Sequence, residues 1–204
     1  MNKELAHVLK EKLLDIPFLE VVAGMVQVVE YDSPVYEGKT VKKRMPVAYD
    51  TNIQDCGTNI KENDLVPNSS KRGILYFEDG GVQKSIRTSK GMEFQSRLIM
   101  TVWLNRERLV DDKYEEISAK CQMALFEKLV TANPQNLDIF SRLKISVSRV
   151  LQQNKAVFAN YSYDESIMQY LRPPFEFFAV ELICSYTVSF GCIAKLNITG
   201  GTDC

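Results

Sequence analysis

The chain has 204 residues, of which 45% are hydrophobic and 25% charged, with a formal net charge of −1. That supplies apolar material for one large domain, and the charge balance excludes bulk attraction to nucleic acid or a membrane surface. No apolar run reaches the roughly 20 residues that cross a bilayer. The charged start MNKELAHVLKEKLL has no signal-peptide core, so the expected home of the chain is a cytoplasm.

Residues 2–16 place Leu5, Leu9, Leu13 and Ile16 at near-helical spacing before Pro17, which predicts an amphipathic helix. Residues 18–31 are rich in Val and predict a strand with a bulge or bend at Gly24. Asp32-Ser33-Pro34 and Glu37-Gly38 read as the turn of a hairpin that returns along 40–49, with Pro46 confining the return strand to an edge or ending it. Residues 50–72 form a long polar run of the kind that is functional or disordered. Residues 74–78 and 82–87 flank Asp79-Gly80-Gly81, which reads as a second hairpin, and a strand follows over 93–105 with the single tryptophan, Trp103.

Asp112, with Glu115 three residues on, predicts a helix start. The helix would run to about residue 132 with Tyr114, Ile117, Cys121, Ala124, Leu125 and Leu129 as its buried stripe. Asn133-Pro134 ends it. Beyond lie a short helix over 137–143, a strand over 144–151, a polar connector over 158–171 and the pair Pro173-Pro174.

From 175 to 190 apolar and polar residues alternate: Phe178, Val180, Leu182, Cys184, Tyr186, Val188 and Phe190 share one parity, while Glu181, Ser185, Thr187 and Ser189 share the other. Strand side chains alternate between two faces, so this is one long antiparallel strand with a buried face. At about 3.3 Å per residue it would run roughly 50 Å, far beyond the usual five or six residues. A strand of that length suits a sheet that meets a neighbouring subunit. The element order predicts a single α+β domain over 1–196, with a mixed, mainly antiparallel sheet and helices on one face. An extended hairpin and long loop over 40–90 would be an insertion reaching another subunit, and 197–204 a frayed tail.

Catalytic chemistry finds little support. The five cysteines (Cys56, Cys121, Cys184, Cys192, Cys204) form no C-x-x-C pair, and an odd count points to reduced thiols. With only one histidine, His7, neither a Cys/His zinc site nor a His-based triad is expected. Gly80-Gly81-Val82-Gln83-Lys84-Ser85 lacks the glycine that precedes the lysine of a phosphate loop. Asp32 with Glu37-Gly38-Lys39 has the residue types of a Mg²⁺-dependent nuclease but falls in a turn. Asp111, Asp112, Glu115 and Glu116 crowd a helix start, where they complement its dipole. Residues 39–90 hold ten Lys and Arg against six Asp and Glu, a local basic surplus without interleaved aromatics. No catalytic residue, cofactor, metal or small-molecule substrate is expected.

Three segments carry a resemblance: LKEKLLDIPF at 9–18, RLIMTVWLNRERLVDDKYEEISAKCQMALFEKLV at 97–130, and YDESIMQYLRPPFEFFAVELICSYTV at 163–188. In this order they resemble the tail terminator and tail-completion proteins of long-tailed bacteriophages. That resemblance implies a non-enzymatic virion protein, assembled in the host cytoplasm into a homo-oligomeric ring, a hexamer in that family. The ring would join tail to head, contact neck or tail-tube proteins and allow passage of DNA. Rings are built from head-to-tail contacts, and the residues expected at such a contact are Ile74, Tyr76, Val82 and Ile86 of the 74–87 hairpin with Ser185 and Thr187 of the last strand. The competing readings are a Mg²⁺-dependent nuclease and a non-viral oligomeric scaffold or injection-system component.

Overall fold

The computed structural model describes residues 1–34, 40–49, 65–110, 117–131, 141–152 and 155–191. In chain order the main elements are α1 (Asn2–Leu13), β1 (Val21–Pro34), β2 (Thr40–Ala48), β3 (Gly73–Arg87), β4 (Gly91–Asn105), α2 (Ile117–Thr131), β5 (Ser141–Gln152), α3 (Glu165–Met168) and β6 (Phe175–Ser189). The strands join in the order β2-β1-β3-β4-β6-β5, with every pair antiparallel except β1 and β3. The α+β class and the mainly antiparallel sheet agree with the sequence.

The centre of the sheet is the pair β4–β6, in unbroken register from Gly91↔Ser189 to Asn105↔Phe175. Its regularity follows from alternation: Phe178, Val180, Leu182, Cys184, Tyr186 and Val188 are all buried on one face with Leu98, Met100, Val102 and Leu104 of β4. A one-residue slip would turn that whole set out of the core. The helices cover this face. From α1 come Leu5, Leu9 and Leu13, and from α2 come Ile117, Cys121, Leu125 and Leu129, each series spaced by four and fully or almost fully buried. Each such leucine contributes about 1.5–3 kcal/mol of transfer free energy.

The other face has its own core, over half its length only. There Ile74, Tyr76, Trp103, Phe177 and Ala179 lie beneath Leu65, Val66, Val157, Phe158, Tyr161 and Tyr163. The last four belong to the segment that the sequence presents as a polar connector. Its tyrosines are buried, and the segment is a lid on the sheet rather than a solvated linker. Trp103 Nε1 donates to the Tyr170 carbonyl at 2.7 Å, and its ring stacks on Phe175 with centroids 5.4 Å apart.

β1 changes partners along its length. Its first residues pair in parallel with β3, with a register shift between Val22 and Met25 that is the bend expected at Gly24. From Val26 to Pro34 it pairs with β2 as a ribbon. The ribbon is tied to the lid: Tyr31 and Ser33 hydroxyls donate to the Asp164 carboxylate at 3.2 and 2.6 Å, and Lys43 Nζ donates to the Tyr163 carbonyl at 3.1 Å. β2 is an edge strand, as Pro46 requires.

Two further expectations are corrected. Asp79-Gly80-Gly81 is not a hairpin turn. β4 is long enough to pair with both flanking segments, so the three residues become a bulge in one continuous strand, with register shifts between Asp79 and Lys84. Gly81 takes φ +85°, and a Cβ on Gly80 would stand 2.8 Å from the Arg97 carbonyl oxygen. β3 is consequently a central strand, and 40–90 supplies two strands of the fold instead of a detachable arm. The short helix expected over 137–143 is strand from Ser141 onward. Tyr114, the Asp112 cap with Glu115, most of the loop 50–64, and the tail 197–204 lie outside the described residues.

Candidate assembly surface

The lid ends partway along the sheet, and the rows of cross-strand neighbours show where. Tyr76–Thr101–Ala179–Leu151 lies beneath it, and Glu78–Ile99–Glu181–Arg149 is the boundary row. Beyond that boundary the same face carries Lys84–Gln95–Ser185–Lys144 and then Ile86–Glu93–Thr187. These rows line a hollow of about 360 Å³, with Arg142 at its rim. The hollow holds three cations (Lys84, Arg142, Lys144) and one acid (Glu93), two hydroxyls, one amide and the half-exposed Ile86.

Backbone geometry builds the basic side of this hollow. Between Ser141↔Thr187 and Lys144↔Ser185, β5 carries one residue more than β6. Arg142 absorbs it at φ 56°, a left-handed conformation unusual for a side chain of this size and worth about 1–3 kcal/mol of strain. The turn sends Leu143 into the helix-side core, where it is buried, and leaves Arg142 and Lys144 exposed at the hollow. Burial of Leu143 accounts for the bulge. No periodicity in the sequence announces it.

Of the six residues expected at an assembly contact, the structure brings three to the hollow: Ile86, Ser185 and Thr187. Val82 stands beside it on the bulged part of β3, 52% exposed. Ile74 and Tyr76 are corrected: both are fully buried under the lid and present nothing to a neighbour. The residues missed from the sequence are Lys84, Glu93, Gln95, Arg142 and Lys144. Their common signal is the strand parity of Ser185, carried across the register to β3, β4 and β5.

At the boundary row a polar cluster is sealed under the lid. Glu78 accepts from Thr101 Oγ1 at 3.2 Å and from Asn160 Nδ2 at 2.7 Å. The hydroxyls of Tyr76, Tyr161 and Tyr163 are buried close to it and to one another, but none meets a described partner at hydrogen-bonding geometry. Burial, with the Glu78 carboxylate nearby, pushes all three phenols well above their ordinary ionisation range. Burial likewise pushes the Cys121 thiol up to about 12, with Glu176 adding to it, and the Cys184 thiol up to about 12. Both are core thiols.

Among the described residues no three His, Cys, Asp or Glu side chains stand close enough to share a metal ion. Asp32 pairs across the ribbon with Lys42, and Glu37 lies outside the described residues. No described helix is long and apolar enough to cross a membrane. A scan against protein-family models finds no match to the chain, and a search of curated proteins finds no relative.

Proposed function

We propose that this chain is a structural protein of a bacteriophage neck or tail end, and that copies of it close into a ring joining tail to head. The supporting observation is a fifteen-residue strand pair, β4–β6, whose helix-side face is covered throughout while the other face is left open over its distal half. A sheet that long gains nothing for a monomer by leaving a concave, polar, partly apolar surface exposed, whereas a subunit of a ring needs such a surface for its neighbour. The element order, with a first helix, a ribbon, two long paired strands, a second helix and a last long strand, is the order on which the resemblance to tail terminators rests. The ring would form in the host cytoplasm and remain in the virion, in contact with neck or tail-tube proteins and with a channel for DNA.

The native mass of the purified chain tests this reading. A closed hexamer of 23.3 kDa chains would have a mass of roughly 140 kDa. A species of that mass with a central hole in negative stain supports the reading. A monomer at all concentrations, alone and with neck or tail-tube proteins added, contradicts it.

A further inference from the structure

The hollow has a sign, and so has the opposite end of the sheet. Lys84, Arg142 and Lys144 against Glu93 make the hollow +2, while the whole chain is −1, so the remaining surface carries −3. The densest acidic run in the sequence is Asp111-Asp112-Lys113-Tyr114-Glu115-Glu116, which lies outside the described residues. Its flanks are placed. Val110 N–H bonds back to the Arg106 carbonyl just past Asn105, and Ser118 bonds to Glu176 at the start of β6. Those positions are at the end of the β4–β6 pair away from the hollow, roughly 40 Å from Glu93 at the rise of a strand.

The acidic run is more than α2 needs for capping. The Glu176 carboxylate, itself paired with Arg106 at 3.4 Å, already accepts the Ser118 N–H at 3.1 Å and the Ser118 hydroxyl at 2.6 Å. A negative charge therefore already stands at the helix N-terminus, supplied by β6. Four further carboxylates in the sequence at that end are left for another purpose.

Resting on the ring reading above, we infer that the basic hollow of one copy receives the acidic run 111–116 of a second copy. The contact is head-to-tail, as a closed ring or a stack of rings requires, because the two complementary surfaces lie at opposite ends of one subunit. A protein neighbour suits the hollow better than a nucleic acid does. Glu93 and the exposed Ile86 stand among the cations, and Phe94 and Tyr186 stack on each other with centroids 5.6 Å apart instead of offering free faces to bases.

Charge exchange tests the inference on the full chain. One variant carries Lys84→Glu, Arg142→Glu and Lys144→Glu; a second carries Asp111→Lys, Asp112→Lys and Glu115→Lys. Thermal unfolding of each confirms that it folds, and native mass by light scattering is the readout. Each variant alone should lose the high-mass species, and an equimolar mixture of the two should regain it, since every contact then pairs opposite charges. Wild-type assembly should weaken between 0.1 and 0.5 M salt, a range set by screening of exposed charge. A hollow variant that assembles like wild type overturns the inference while leaving the ring reading standing, and so does a mixture that stays dissociated. A wild-type chain that never self-associates overturns both. A 20-base-pair duplex that binds wild type, with binding lost in the hollow variant and native mass unchanged, would assign the hollow to nucleic acid instead.

Discussion

Arg44 on β2 and Ser162 on the lid exchange both of their main-chain hydrogen bonds, at 3.2 and 3.0 Å, although 118 residues separate them. The Arg44 N–H also reaches the Ser162 hydroxyl at 2.9 Å. This bridge closes part of the outer edge of the sheet at β2 and fastens the lid over the second core. An unpaired edge is a template for unwanted pairing, so the two sheet edges differ: β2 is bridged and carries Pro46, while β5 carries only its charges and bulges.

The first prediction concerns this bridge. Ser162→Pro removes the N–H and the hydroxyl together, and should lower the unfolding free energy by about 2–4 kcal/mol. Urea denaturation measures it. Because the lid covers Tyr161 and Tyr163, tyrosine hydrogen exchange and near-ultraviolet circular dichroism should change before global unfolding.

Gly80 supplies the second. A methyl group there meets the Arg97 carbonyl oxygen at 2.8 Å as well as the Arg97 side chain, and main-chain oxygen in a paired strand cannot move aside cheaply. Gly80→Ala should cost about 1–3 kcal/mol. Replacing Gly81, at φ +85° with open space around it, should cost less and through backbone strain alone. Equal costs for the two would contradict the bulge geometry.

Alkaline stability gives the third. The buried phenols and thiols ionise less readily folded than unfolded, where the ordinary values are near 10.0 for tyrosine and 9.0 for cysteine. Stability is therefore fully present below about pH 9 and falls as pH rises through the window from 9 to 12 and above. Urea midpoints at pH 8 and pH 11 check the sign. Tyrosinate absorbance should show part of the tyrosine content ionising only with unfolding. Tyr161→Phe should be neutral or stabilising at pH 7, since it deletes a buried hydroxyl that lacks a described partner.

The fourth separates the two faces of β6. Leu182 is completely buried on the helix side. Leu182→Ala should cost about 2–5 kcal/mol, and Leu182→Asp should leave no folded protein. Thr187→Asp, on the open face at the hollow, should change unfolding free energy by less than about 1 kcal/mol. Under the ring reading it should nonetheless reduce assembly, which sizing at matched concentration measures.

What the sequence made legible is what strict periodicity encodes. β6 and its buried parity, the four-residue stripe of α2, the ribbon turn and the Gly24 bend were all open to reading because burial on one face imposes a repeat. Asp79-Gly80-Gly81 misled because a glycine pair after aspartate suits a hairpin and a bulge equally, and only the length of β4 decides between them. The lid was hidden because tyrosines in a run of polar residues look solvated until a sheet face exists for them to cover. That same lid buries Ile74 and Tyr76, two of the residues expected at a neighbour. The hollow was half legible: Ser185 and Thr187 follow from parity, whereas Lys84, Arg142 and Lys144 join them only through the register of three other strands and a bulge that no local pattern announces.

The central claim is self-association through the open half of the sheet, and native mass by light scattering on a sizing column, followed by negative-stain imaging, tests it most directly. The account predicts a closed oligomer, roughly 140 kDa if six chains of 23.3 kDa take part, with a central hole and a mass that drops when the hollow is charge-reversed. A particle of 23.3 kDa that stays single at every concentration and with neck or tail-tube proteins present would contradict it.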